Sequence, residues 1–259
     1  MSDNNLIGRL ALITGASGGI GAACARALVH HNIDMALTYS TNQHAVEELV
    51  AQLEKEYHEV RPESGFPIIT IHQVDLASVE RTIRLYDDIR KKHGRPVDIL
   101  ISNAGYGRRI PDIWDIPLEE FEHTINVNLR ASFLLVKGAI DGMKAQRWGR
   151  IVFVSSIAAY GAGINGCHYA ASKGGLTAMM KNLSSHLAEY NITVNDVAPA
   201  MIGETGLIPN EYTVPGLVDS IPLGRLGTPK EVANAVLMFC TTGYITGQSL
   251  LIAGGLNHK

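Results

Sequence analysis

Short apolar runs alternate with helical segments almost from one end of the chain to the other, and this alternation leaves few folds open. Seven runs read as strands: Leu10 to Thr14, Ile33 to Tyr39, Ile68 to Val74, Val97 to Ser102, Arg150 to Ser155, Thr193 to Val197 and Ser249 to Ile252. Each is rich in Val, Ile or Leu at consecutive positions, the pattern of strands covered on both faces of a parallel sheet. Between them, segments such as Ala45 to Glu56, Glu119 to Lys144, Tyr169 to Glu189 and Pro229 to Cys240 repeat apolar residues at the helical period. The expected fold is α/β, a doubly wound parallel sheet in a single domain of three layers, α/β/α, over residues 1–259. Right-handed crossovers leave a crevice at the carboxyl ends of such strands, so chemistry is expected just after each strand. Two stretches break the rhythm. Tyr57 to Pro67 reads as a polar surface loop, and Ala200 to Pro222, irregular and holding several Pro and Gly, reads as a flap over the crevice.

Composition removes several function classes. The formal net charge is −3 and the basic residues form no run that could follow a phosphate backbone, so nucleic acid is not an expected partner. Cys24, Cys167 and Cys240 are an odd count at wide separations, which fits a reducing compartment. The polar, acidic start Met1 to Asn5 holds no signal core, and no apolar run approaches the ~20 residues of a membrane span. A cytoplasmic protein with no membrane partner is expected. Ten histidines occur without H-x-x-E-H or H-E-x-x-H spacing, so no metal site is expected.

The first strand ends in Thr14-Gly15-Ala16-Ser17-Gly18-Gly19-Ile20-Gly21 and a helix begins at once. Gly15 permits a tight turn, Gly19 lets backbone approach a pyrophosphate, and Gly21 lets the helix sit close to the sheet. The helix N-terminus offers free N–H groups and a positive dipole end to phosphates. A glycine-rich turn alone is weak evidence, but this one follows the first strand of an alternating chain, where a Rossmann-type dinucleotide site requires it.

The spacing G-x-x-x-G-x-G resembles the short-chain dehydrogenase/reductase family, and further matches extend the resemblance over nearly the whole chain. They are Val74-Asp75-Leu76 after the third strand, Ser102-Asn103-Ala104-Gly105 after the fourth, Asn126-Val127-Asn128-Leu129 in the long middle helix, and Ser156 followed by Tyr169-Ala170-Ala171-Ser172-Lys173. In overall pattern the chain is most similar to 3-oxoacyl carrier-protein reductases. The resemblance implies a Rossmann fold, a cofactor site at Gly15, Ser17, Gly19, Ile20, Gly21, Asp75, Leu76, Asn103, Ala104, Gly105, Tyr169 and Lys173, and a catalytic set of Asn128, Ser156, Tyr169 and Lys173. It departs from the family at Ser102, where Asn is usual, and in the flap, where Ala200 replaces a Gly. Pro199, Ile202 and Thr205 are still expected to reach the nicotinamide. Bland readings stand beside these: Asp75 as a helix cap, Asn103 as a turn residue, Asn128 as a solvent-facing helix residue.

Tyr169 and Lys173 are four apart on a helix and share a face. A phenol is a poor acid or base near neutrality, and a neighbouring ammonium is expected to move its pKa toward the working range. Ser156 would donate to a substrate oxygen as negative charge develops on it. By the resemblance, Lys173 also holds the nicotinamide ribose, and Asn128 holds a water that relays protons to Lys173.

Cofactor preference is read from the end of the second strand, where NAD enzymes of this fold place an acid. Here Tyr39 stands there, followed by Ser40, Thr41 and Asn42, whose hydroxyl and amide groups suit a 2′-phosphate. NADP(H) is therefore expected over NAD(H). The leading expectation is a ketone reductase using NADPH on a small carbonyl substrate, assembled as a homotetramer or homodimer. The alternatives are an NAD-linked dehydrogenase of a secondary alcohol, sugar alcohol or steroid, a specialised biosynthetic reductase, and a non-catalytic nucleotide-binding regulator.

Overall fold

A computed structural model of the chain describes residues 4–161, 163–206, 216 and 218–256. All seven expected strands form, each within two residues of its expected ends: β1 Leu10–Ile13, β2 Asp34–Tyr39, β3 Ile69–Gln73, β4 Ile99–Ser102, β5 Gly149–Val154, β6 Ile192–Pro199 and β7 Ser249–Ile252. They build one parallel sheet in the order β3-β2-β1-β4-β5-β6-β7. The chain winds outward in both directions from β1 and β4, so the crevice lies where these two neighbours feed opposite halves. Leu12 pairs with Ala36 on one side and with Leu100 on the other.

The sheet is apolar on both faces because two cores need it. Along β1, Ala11 and Ile13 join one core, packed with Ala25 of α1 (Gly19–Val29), Leu53 of α2 (Gln43–Val60) and Val236 of α7 (Pro229–Thr241). Leu10 and Leu12 point the other way, toward Leu85 of α3 (Val79–His93), Leu135 of α5 (Ala131–Gln146) and Leu176 of α6 (Cys167–Leu187). A short α4 (Leu118–Ile125) leads into α5.

Three expectations are corrected. Tyr57 to Pro67 is not all loop: α2 runs on to Val60, and the Tyr57 ring is buried with its hydroxyl donating to Asn32 Oδ1 at 2.9 Å. Leu49, Leu53 and Tyr57 continue one helical stripe, and burying such a side chain contributes about 1.5–3 kcal/mol, enough to override the polar residues between them. The middle helix is not continuous either. Asn126–Arg130 form a wide π-helical turn between α4 and α5, a feature that re-aims side chains locally. Finally, α6 starts at Cys167, so Tyr169 lies inside its first turn and not at its first position.

Candidate active site

A cavity of about 830 Å³ opens at the carboxyl ends of the central strands. Its floor is the glycine turn. Gly15 adopts φ +68°, and a Cβ there would meet Ala104 Cα at 3.0 Å. A Cβ on Gly21 would fall 2.4 Å from the Gly15 carbonyl oxygen, so a side chain there would push α1 off the turn. Gly19 faces the segment after β6, 2.3 Å from Glu204 O to an added Cβ. The N-cap residue Gly18 brings no side-chain hydrogen bond to α1, which leaves the first-turn amides beside Ser17, Gly19 and Ile20 on the cavity wall. A cradle of this kind fits a pyrophosphate.

Two polar strand residues shape this floor and were missed at the level of sequence. Thr14 Oγ1 accepts from the backbone N–H of both Asn103 and Ala104 at 3.0 Å, and Thr38 Oγ1 accepts from Gly15 N at 3.2 Å. A buried threonine at each strand end, in runs otherwise apolar, was the available signal. Asn103 serves the turn as well as the cavity: its Nδ2 donates to Thr14 O at 2.8 Å and Gly15 O at 3.3 Å. Asp75 likewise lines the cavity while its Oδ1 accepts from Ala77 N at 2.9 Å. Asn103 thus serves the turn as its bland reading had it, whereas Asp75 does not cap α3: that cap is Ser78, whose side chain accepts from Arg81 N. Leu76, Gly105, Pro199, Ile202 and Thr205 also line it.

At the adenosine end Tyr39 and Ser40 line the cavity, while Thr41 is exposed and does not. Asn42 is committed elsewhere, its Oδ1 capping α2 through Ala45 N at 3.1 Å. The Tyr39 hydroxyl donates to Gln43 Oε1 at 2.9 Å. The first turn of α2 holds no acidic residue, so its positive dipole end stands beside Ser40 unopposed from within that turn.

The far end gathers Ser156, Tyr169 and Lys173. Ser156 follows β5 by two residues, and its Oγ accepts from Ala158 N at 3.2 Å and shares a hydrogen bond with the Tyr169 phenol. Lys173 is buried, and its Nζ donates to Val154 O at 2.9 Å. Asn128 does not face solvent. It sits behind the wall, 1% exposed, where Oδ1 accepts from Tyr106 N at 2.7 Å and Nδ2 donates to Tyr106 O at 2.9 Å and Ser172 Oγ at 3.0 Å. The π-helical turn is what carries it inward, binding the loop after β4 to α6.

The electrostatics differ from expectation at the tyrosine. Burial pushes the Tyr169 phenol above its ordinary value, and the Ser156 hydrogen bond only partly opposes this. The Lys173 ammonium lies 5.7 Å from the centroid of the Tyr169 ring, and its Nζ donates to Val154 O. Burial lowers Lys173 to about 8, with the Asp196 carboxylate acting in the opposite sense. The site therefore presents a protonated phenol beside an amine that titrates just above neutrality.

Beyond Ser156 and Tyr169 the cavity is completed by Tyr106, His123, Ile164, Met201 and Leu256, none marked by a sequence motif. His123 packs edge-on against Tyr106 at 4.6 Å. Of the two neighbours of Tyr169 left unassigned, His168 is fully buried with Nε2 against Arg108 O at 3.2 Å, and Cys167 is exposed. Much of the expected flap, 207–215 and 217, lies outside the described residues. Among the described residues no cluster of three or more His, Cys, Asp or Glu is arranged to hold a metal, and no helix is long and apolar enough to cross a membrane.

Fold and cavity define a class: a dinucleotide-binding α/β protein with a tyrosine and a lysine facing the end of the cofactor cradle. The chain belongs to the short chain dehydrogenase family, whose model matches residues 9–212. It is 37% identical to the 3-oxoacyl-acyl-carrier-protein reductase FabG of Rickettsia felis over 97% of this chain and 98% of that one, and 32% identical to the FabG of Aquifex aeolicus over the same shares. Among solved structures it resembles a short-chain alcohol dehydrogenase from Sinorhizobium meliloti (TM-score 0.86, 27% identity, 98% of both chains). It also resembles a 3-oxoacyl-acyl-carrier-protein reductase with bound NAD from Brucella melitensis (TM-score 0.84, 29% identity, 98% of this chain and 93% of that one). The chain is an NAD(P)-dependent oxidoreductase acting on CH–OH or keto groups of a small-molecule substrate.

Proposed function

We propose that the chain reduces a 3-oxoacyl or related ketone with NADPH, and that Tyr169 delivers the proton to the carbonyl oxygen. The observation that carries this reading is the buried phenol of Tyr169, held protonated at neutral pH and hydrogen-bonded with Ser156 inside the cavity. The bound dinucleotide supplies or accepts the hydride. Ser156 and Tyr169 together donate to the substrate oxygen, so the charge that develops there meets two preplaced donors. Lys173 orients the phenol and the ribose, and Asn128 fixes Tyr106 and α6 around them. In balance, the ketone gains a hydride at carbon and a proton at oxygen and leaves as the alcohol. The names of the relatives support the 3-oxoacyl substrate class.

Preference for NADPH is supported by Tyr39 at the end of β2 and by Ser40 beside the unopposed N-terminus of α2. The second reading, an NAD-linked dehydrogenase, is favoured by the NAD in the Brucella relative. A spectrophotometric screen of NADPH and NADH oxidation against β-ketoacyl esters, diketones, quinones and sugars decides between them. Turnover of β-ketoacyl esters with NADPH supports the proposal; activity confined to NADH or to another substrate class overturns it.

We also propose a flap over about 200–222, a cytoplasmic location and a homotetramer. Leu118, Phe121 and Phe133 on α4 and α5, and Tyr244 and Leu250 near the C-terminus, expose apolar surface that such an assembly would cover. Light scattering at micromolar concentration is expected to give four times the chain mass, and a monomer would remove the assembly from the proposal.

A further inference from the structure

Below the site, α6, β5, β6 and β7 enclose a carboxylate that the chemistry above does not use. Asp196 lies within β6, a strand otherwise buried and largely apolar, and is 0% exposed. A buried charge persists only where hydrogen bonds or an opposite charge replace water. Both carboxylate oxygens of Asp196 are so held: Oδ2 accepts from Thr177 Oγ1 at 2.7 Å, and Oδ1 accepts from the Ser249 hydroxyl. Every partner is a hydroxyl, able to donate to an ionised acid.

Thr177 stands one helical turn beyond Lys173, so both side chains leave the same face of α6 toward the sheet. Lys173 reaches the carbonyl of Val154 on β5, and Val154 is paired in register with Val197, the neighbour of Asp196 on β6. The buried ammonium and the buried carboxylate thus occupy adjacent positions under one helix. Charged groups facing Asp196 from the packed elements are Lys173 and, about two turns beyond it along α6, the exposed Lys181; burial pushes the Asp196 carboxyl above its ordinary value, and the Thr177 and Ser249 hydrogen bonds and Lys181 oppose this.

We propose that Asp196 is a positioning residue for Lys173, an ionised carboxylate anchored by Thr177 and Ser249 that keeps the buried lysine an ammonium at the pH where the enzyme works. The inference rests on the catalytic reading above only for its consequence in turnover. Asp196 touches neither substrate nor cofactor; it acts through Lys173. A role confined to tying α6, β6 and β7 together would leave the lysine's titration untouched.

The test is a pH titration of the full-length chain, free of nucleotide and labelled with carbon-13 at the lysine ε position, in the wild type and in Asp196→Asn. Loss of the carboxylate removes the attraction that opposes burial, so Lys173 is expected to titrate lower by about one pH unit in the variant. An unchanged Lys173 titration overturns the proposal. A second measurement needs no variant: with carbon-13 in the aspartate carboxyl group, Asp196 of the wild type is expected to be ionised at pH 7, and a protonated acid there overturns it. The alkaline limb of turnover should move with the lysine. If Lys173 shifts while that limb stays in place, the positioning role stands and the catalytic assignment of Lys173 falls.

Discussion

The ammonium of Lys173 donates to the carbonyl oxygen of Val154 at 2.9 Å, so the helix that carries Tyr169 is fastened to the strand that presents Ser156. Strand and helix are joined by the short segment 155–166, and this buried hydrogen bond holds the start of the helix against the strand end. The tyrosine's role can be tested apart from this scaffold. Tyr169→Phe removes the transferable proton and leaves the ring in place. Turnover is expected to fall by at least ~10²-fold, the usual contribution of general acid–base catalysis, with cofactor affinity nearly unchanged. Steady-state kinetics and fluorescence titration of the cofactor measure both, and near-normal turnover would remove Tyr169 from its role.

The lysine predicts a pH dependence of definite sign. Burial lowers its folded value to about 8, so the ammonium is present below that pH and lost above it. kcat/KM is expected to decline on the alkaline side with a limb near 8, well below the range in which the phenol, pushed upward by burial, gives up its proton. A profile flat through 8 and falling only in the ordinary tyrosine range would assign the limb to Tyr169 instead.

Cofactor choice turns on Tyr39, whose ring lines the cavity where an acid would meet a 2′-phosphate. Tyr39→Asp places a carboxylate there and gives up the hydrogen bond to Gln43. One charged hydrogen bond is worth roughly 1.5–3 kcal/mol, so preference should move about ten- to a hundredfold from NADPH toward NADH. Should the wild type bind NADH more tightly, or the ratio stay put in the variant, NADP(H) preference is wrong.

Stability beside the flap depends on a helix cap. Thr228 Oγ1 accepts from Glu231 N, and the Glu231 carboxylate accepts from Thr228 N at 2.8 Å, a reciprocal pair that closes the start of α7. Arg225 grips the same carboxylate with two hydrogen bonds and, with the Thr228 amide, holds it down at about 2. Thr228→Ala is expected to destabilise the fold by about 1 kcal/mol, lowering the melting temperature by roughly 2–4 °C. An unchanged thermal midpoint would show the cap to be idle.

Much of the site was legible because its residues follow strands. Gly15, Gly19 and Gly21 lie where a first βα turn must bend, and Tyr169 and Lys173 share a helix face by spacing alone. The reach of α2 was misjudged because Tyr57 sits among charged residues, and only its burial against the sheet edge shows that the apolar stripe continues. Asn128 could not be oriented from sequence, since a π-helical turn has no motif of its own and forms here where the amide bonds across to Tyr106 and Ser172.

What the sequence determined by itself is local and periodic. Apolar strands at consecutive positions, helices at their period and glycines at one turn specify a doubly wound sheet, because each of these features works within a few residues of chain. What the tertiary structure decided is the electrostatics. The upward shift of Tyr169, the lowering of Lys173 and the enclosure of Asp196 all arise from loss of water around groups that folding brings together from α6, β5 and β6. Desolvation belongs to a place in the fold and to no residue in the sequence, so the i,i+4 spacing of Tyr169 and Lys173 showed that they meet, while the direction of their shifts waited on how deeply they are buried.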